Sequence, residues 1–223
     1  MKILAIDTSS EICSVAILED EKVIDEINLD NGLTHSENLM ILIDQILNRN
    51  NLNIKNINLL ACSVGPGSFT GIRIGISTIK PFAEILNIKV AAISSLETLA
   101  RNVETKDKTI VSLIDARNDQ IYCGIFNDNY NKKEDYFAKS INETVNHLKK
   151  YENIVFVGSG SEKYKELLEK EFQKVEFCQN NKQSAGNVGK MGFNNYMKDD
   201  LKTADTVFPI YLRKSQAERM KKN

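Results

Sequence analysis

The sequence predicts an α/β protein in which one order of elements, βββαβαβα, occurs twice, and three observations carry that prediction. Two acidic turns end apolar strands at matching places, IDTSS at residues 6–10 and IDARN at 114–118. Two glycine-bearing loops close later strands, SVGPGS at 63–68 and FVGSGS at 156–161. The hydrophobic pattern also alternates between strand and helix periods in the same order in each half, which is how an internal repeat announces itself.

The first half begins with the apolar run KILAI, the turn Asp7-Thr8-Ser9-Ser10, and the strands ICSVAIL and KVIDEINL. Thr34-His35-Ser36-Glu37 has the spacing of a capping box, so a helix is expected from His35 to about Arg49. The strand INLLACSV, a glycine loop, a helix to about Leu86 and the strand KVAAI follow, and Ser94-Ser95-Leu96-Glu97 opens a short helix. In the second half TIVSLI ends at Asp115, QIYCGIF follows, and a weaker strand is expected at DYFA. Ser140-Ile141-Asn142-Glu143 repeats the capping box, and NIVFV, the loop Gly158-Ser159-Gly160-Ser161, the helix EKYKELLEKEF and the strand KVEFC complete the copy. Two ribonuclease-H-like modules facing one another result, divided in the polar stretch as residues 1–103 and 104–223. After the polar segment 179–189, a helical stretch is expected near Lys190–Met197 and a terminal helix in FPIYLRKSQAERMKKN, free to fold back on the first lobe. Its cations Arg213, Lys214, Arg219, Lys221 and Lys222 read as a solvated helix face rather than an RNA contact.

Composition narrows the function classes. Among 223 residues, 29 Lys and Arg against 30 Asp and Glu give a net charge of −1, so no global basic excess favours phosphate. The longest apolar runs, such as Leu59–Val64, fall well short of the roughly 20 residues a membrane helix needs. Asp7 interrupts the N-terminal apolar run before a secretory signal develops, so the cytoplasm is the expected location, with no membrane partner. Cys13, Cys62, Cys123 and Cys178 are far apart and each lies in an apolar segment, as buried reduced thiols do. His35 and His147 are distant from each other and read as surface helix residues, which leaves no two-histidine metal motif.

Three segments could carry chemistry. Gly65-Pro66-Gly67-Ser68-Phe69-Thr70-Gly71 lies between a strand and a helix, where it can cradle a phosphate or simply make a rigid turn, and the rigid turn is favoured. It lacks the Gly-Lys-Ser/Thr ending of a P-loop and the glycine spacing of a dinucleotide fingerprint. Asp7, Thr8 and Ser9 supply an acid and two hydroxyls that could hold hydrated magnesium and phosphates, with Asp115 at the matching place. These residues with Gly65, Gly67 and Ser68 are the candidate nucleotide-binding set. In the helix after the glycine loop, Ile72, Ile76, Ile79 and Leu86 form one apolar stripe, while Gly71, Ile74, Gly75, Thr78 and Phe82 form a second, flatter face. Leu39, Met40, Ile43 and Ile46 likewise give the helix after Thr34 more apolar surface than one contact requires. These two helices either pack on each other inside their lobe or form a subunit interface.

The motifs AIDTSS at 5–10, SVGPGSFTGIRIG at 63–75, ISSLETLA at 93–100, LIDARNDQIY at 113–122 and PIYLR at 209–213 resemble the bacterial tRNA threonylcarbamoyladenosine biosynthesis family TsaB, also called YeaZ. The resemblance implies a two-lobed actin/Hsp70-like (ASKHA) fold. It also implies a non-catalytic partner subunit, a pseudoenzyme essential to a complex that transfers a threonylcarbamoyl group to N6 of adenosine 37 (t6A37) in tRNAs reading ANN codons. Implied partners are the catalytic subunit TsaD in a heterodimer, the ATPase TsaE, and tRNA through the complex, with a homodimer open to the free chain. No cofactor is expected on the chain alone, and ATP or ADP with Mg is expected at the interface of the assembled complex. Where TsaD carries a metal-holding His-Met-Glu-Gly-His pattern, this chain reads Ser95-Leu96-Glu97-Thr98-Leu99, so neither catalytic residues nor metal ligands are expected. Asp115-Ala116-Arg117 lacks the glycine that ATPases of this fold place after the aspartate. Pairing in the family looks like helix packing through the two helices just described, which favours the interface. The alternative is a self-sufficient ATPase or small-molecule kinase of the same superfamily.

Overall fold

The computed structural model describes residues 1–30 and 34–213. It contains two compact units, one of residues 1–98 with 183–210 and one of 99–182 with 211–213.

In the first unit β1 (Lys2–Asp7), β2 (Cys13–Glu19) and β3 (Lys22–Leu29) form an antiparallel meander. Then α1 (His35–Arg49), β4 (Leu59–Gly65), α2 (Phe69–Leu86), β5 (Val90–Ser94) and α3 (Ser95–Ala100) follow, and β4 and β5 add parallel strands. The sheet order is β3-β2-β1-β4-β5. Side chains alternate across a strand, so one set, Leu4, Ile6, Val15, Ile17, Leu60 and Cys62, meets the apolar stripes of α1 and α2. The other set, Ile3, Ala5, Ala16, Leu18, Leu59, Ala61 and Ala91, is buried as well, which is why these strands read as continuous apolar runs. A helix from the far end of the sequence, Ala185–Met197, covers that second face.

The second unit repeats the plan. It runs β6 (Thr109–Asp115), β7 (Gln120–Phe126), β8 (Phe137–Ser140), α4 (Ile141–Leu148), β9 (Ile154–Val157), α5 (Ser159–Lys163), α6 (Lys165–Glu171) and β10 (Val175–Phe177), in sheet order β10-β9-β6-β7-β8. The late helix is then α7 (Ala185–Met197).

Where the structure differs from the sequence reading, the cause is local. The units are not divided at residue 103, because 183–210 returns to the first sheet. Helix α7 starts at Ala185, not near Lys190, since Ser184 Oγ caps it by accepting the Asn187 amide at 3.2 Å. Gly189 and Gly192 look like loop residues but permit close approach: a Cβ on Gly189 would lie 2.1 Å from Leu18 Cδ1, and one on Gly192 2.8 Å from Ala61 Cβ. The helix expected over EKYKELLEKEF is broken at Tyr164, whose ψ of 21° leaves the helical region. The third strand of the second unit starts at Phe137, two residues after the DYFA segment begins. The expected terminal helix, with Lys214, Arg219, Lys221 and Lys222, lies outside the described residues. Among the described residues, no helix is long and apolar enough to cross a membrane.

Candidate functional site

The Asp7–Ser10 turn and the glycine loop come together in the first unit, and the glycines explain how. Gly65 has a φ of 98°, a region open to glycine, and ends β4 where Ile210 N–H donates to Val64 O at 2.8 Å. A Cβ on Gly67 would sit 2.2 Å from Ser9 O, and one on Gly71 2.0 Å from Thr8 O. Ser68 N–H donates to Ser9 O at 2.8 Å, Thr8 Oγ1 donates to Gly71 O at 2.8 Å, and Ser68 Oγ accepts the Gly71 amide at 3.2 Å as the cap of α2. The close approach that suggested a phosphate cradle is therefore made to the chain's own turn. Asp7, Thr8, Ser9, Gly65, Gly67 and Ser68 do gather, as contacts of one another.

Asp7 is fully buried. Its Oδ1 accepts the Ser9 amide at 2.8 Å and the Ser9 hydroxyl at 2.7 Å, while Oδ2 and the nearby Ser63 Oγ make no hydrogen bond among the described residues. Burial pushes the Asp7 carboxyl above its usual range, and the Ser9 bonds, Ser63 and His35 offset only part of that. His35, read from sequence as a surface residue, is half-buried, and its Nε2–H donates to Ser10 O at 2.7 Å, tying the start of α1 to the turn. Nothing in sequence spacing links His35 to Ser10.

Asp115 belongs to the second unit and has other company. It is half-buried, pairs with Lys163 Nζ at 2.9 Å, and accepts the Arg117 amide at 3.1 Å. Arg117, Asn118 and Asp119 have φ values of 60°, 51° and 54°, a left-handed run without a glycine. A hydrated magnesium with phosphates fits neither turn: the Asp7 carboxylate is fully buried and bonded to Ser9, and that of Asp115 is paired with Lys163.

The segment 95–99 is equally self-occupied. Ser95 and Thr98 are buried: Ser95 Oγ donates to Pro66 O, Thr98 Oγ1 donates to Gln183 Oε1 at 2.6 Å, and Gln183 Nε2 donates to Ser95 O at 3.1 Å. Gln183 lies in the segment read as a polar connection, and only the fold reveals its role. Among the described residues, no three His, Cys, Asp or Glu side chains are arranged to hold a metal. Cys13, Cys62 and Cys123 are buried, which pushes the Cys13 thiol up to about 11 and the other two higher, so none is a ready nucleophile.

The expected partner face needs a correction. Leu39, Ile43, Ile46, Gly71 and Gly75 are buried in their own unit, where α1 and α2 share a sheet face. A Cβ on Gly75 would lie 2.5 Å from Thr8 Oγ1, so this glycine serves the turn and not an outside surface. Of the nine residues proposed, Met40 is exposed, and Ile74, Thr78 and Phe82 are half-buried. Two neighbours that were not singled out are exposed as well, Ile41 at 55% and Ile85 at 81%.

Comparison with known proteins agrees with this architecture. The family model described as TsaD, tRNA N6-adenosine threonylcarbamoyltransferase, matches residues 31–221. The tRNA threonylcarbamoyladenosine biosynthesis protein TsaB of Bacillus subtilis is 38% identical over 126 residues, covering 56% of this chain and 55% of that protein. The chain thus spans about half the length of the curated relatives it matches first. In structure it is similar to YeaZ from Pseudomonas aeruginosa, with a TM-score of 0.78 at 22% identity over 95% of this chain and 99% of that one. The activator of 2-hydroxyisocaproyl-CoA dehydratase from Clostridium difficile, solved with bound ADPNP, shares the fold at a TM-score of 0.55 and 11% identity, over 95% of this chain and 100% of that one. The match to the family model across most of the chain, together with the TsaB relatives, places the protein: it belongs to the TsaD tRNA N6-adenosine threonylcarbamoyltransferase family, on the TsaB (YeaZ) branch.

Proposed function

We propose that the chain is a non-catalytic subunit of the assembly that transfers a threonylcarbamoyl group to N6 of adenosine 37 in tRNAs reading ANN codons. The observation that carries this reading is that the Asp7 turn and the 95–99 segment are taken up by the chain's own contacts: Asp7, Ser95 and Thr98 are buried and hydrogen-bonded within the first unit. A chain of this family without a working centre contributes by binding, and it can stabilise a partner only in the state it contacts better. Its docking surface is the outer face of α1 and α2, where Met40, Ile41 and Ile85 are exposed and Ile74, Thr78 and Phe82 are half-buried. The partner is a TsaD-type catalytic subunit, joined by the ATPase TsaE, and tRNA reaches the chain through them. ATP with Mg is placed in that assembly and not at the Asp7 turn.

The test uses Ile41→Asp and Ile85→Asp. Each should weaken association with the TsaD-type subunit about tenfold or more, because a carboxylate must then be desolvated, while leaving the melting temperature of the free chain nearly unchanged. Unaltered affinity in both sinks the docking face. Calorimetry with Mg-ATP should show weak binding and no turnover by the chain alone; turnover would favour the self-sufficient ATPase.

A further inference from the structure

In the second unit, one aromatic residue is held in a strained conformation directly beneath a guanidinium. Tyr130 has a φ of 60°, in the left-handed region that a bulky side chain rarely enters. The turn around it enforces this: Tyr130 N–H donates to Asn127 O at 2.9 Å, and Asn127 Oδ1 accepts the amides of Asn129 and Asn131 at 3.0 and 2.8 Å. The phenol is fixed at its far end as well, since Tyr130 Oη donates to Val103 O at 2.9 Å. Between these anchors the ring lies under Arg101, with the guanidinium carbon 4.1 Å from the ring centroid. Backbone strain persists only where surroundings over-determine it, and such places cluster at binding sites.

The guanidinium held there lacks an acid. Arg101 Nε is buried and has no hydrogen-bond partner among the described residues, and the residue makes no ion pair there. Of the acids near it in sequence, Glu104 is exposed and Glu97 is half-buried with an interaction of its own. Asp128, beside Tyr130, accepts the Asp107 amide at 3.0 Å and Asn129 Nδ2 at 3.3 Å. A partly desolvated guanidinium without a carboxylate is costly unless something completes it.

We propose that Arg101 is a binding residue for a carboxylate, its guanidinium held ready by the ring of Tyr130. With Nε shut off from solvent, the fork is the pair of Nη groups, and its single positive charge matches one carboxylate through two parallel N–H bonds. A phosphate monoester, carrying nearly two charges, needs a second cation, and the contact of Arg101 among the described residues is the neutral Tyr130 ring. Stacking freezes the fork in advance, which reduces the ordering cost of binding. This site belongs to the second unit and does not depend on the docking reading above.

The test follows the Arg101 Nε–H signal of the 15N-labelled full chain, assigned by its loss in Arg101→Lys. The chain is titrated with sodium acetate and, separately, with inorganic phosphate, at constant ionic strength set with chloride. The expected result is a saturable shift with acetate that exceeds the response to chloride, half-saturating at about tenfold higher acetate in Tyr130→Leu. Tyr130→Phe, which keeps the ring and loses the tether to Val103, should fall between the two and keeps the test decisive if Tyr130→Leu does not fold. A signal lost to solvent exchange in the wild type, or insensitive to acetate, overturns the proposal. A response to phosphate alone overturns the carboxylate assignment, and unchanged acetate affinity in Tyr130→Phe, and in Tyr130→Leu where that variant folds, overturns the role of the ring.

Discussion

The two acidic turns hold the same place in their units, each ending the first strand beside an antiparallel neighbour, yet they spend their polar groups in opposite directions. Asp7 turns inward, is buried, bonds only to Ser9, and is covered by glycines that touch its turn. Asp115 stays half-buried, meets Lys163, and sits beside a left-handed run of three residues without a glycine. Repetition of a fold therefore does not repeat its chemistry, because a site depends on side chains and solvent access and not on topology.

The largest expected effect tests the glycine side of this contrast. Gly71→Ala drives a methyl into the backbone carbonyl of Thr8 and should cost about 3 kcal/mol or more in urea unfolding. Gly160→Ala, in the matching loop, meets Ile121 Cδ1 and Leu113 Cβ, each at 2.9 Å, and the Leu113 backbone carbon at 3.1 Å. Only the Ile121 end can move freely, but these distances are longer than the 2.0 Å at Gly71, so the cost should be about 2 kcal/mol. Equal costs would break the comparison. For the same reason Gly75→Leu is a poor probe of partner binding, because it damages the turn first.

Next in size is Asp7→Asn. Burial raises the carboxyl above its ordinary value of 3.8, so the folded chain holds that proton more tightly than the unfolded chain does. The burial penalty is absent below about pH 4 and grows as pH rises through the raised value. Asparagine keeps an acceptor for Ser9 without the charge, so the variant should melt roughly 3 °C higher at pH 7, with the gain fading toward pH 4. A loss at pH 7 would mean that the carboxylate is paired after all. Asp115→Asn sharpens the contrast from the other side: it removes a solvent-screened pair with Lys163, and the melting temperature should move by about 1 °C or less. Smallest is a thiol count. In the folded chain an aromatic disulfide reagent at pH 8 should find Cys178, which is half-buried, and miss Cys13, Cys62 and Cys123 until denaturant is added.

Much of the fold was legible because its signals are local. Thr34 and Glu37 marked the start of α1, Glu37 accepts the Thr34 amide at 3.0 Å, and the expected end at Arg49 agrees with the helix found. The repeat was legible because each strand keeps its apolar run whether one face or two are covered. What sequence could not show is which surface an apolar or glycine face meets. Gly71 and Gly75 signalled close approach, but their partner, Thr8, lies more than sixty residues away and periodicity does not name it. The start of α7 was missed because Gly186 and Asn187 have loop-like composition, while the reasons for a helix there, Ser184 as cap and the alanine-lined sheet, are tertiary. The pairing of Arg101 with Tyr130 was hidden for the same reason.

That alanine-lined face has a consequence for the order in which the molecule can be made. As the chain leaves the ribosome, the first sheet is complete by Ser94, but the helix that covers its second face starts only at Ala185. Residues 99–182, the main part of the inserted unit, emerge in the interval and can settle before the earlier one closes. The sheet translated first is therefore covered only after the second sheet is complete. Until then it carries a bare apolar sheet surface that invites aggregation, and dependence on a chaperone should concentrate there.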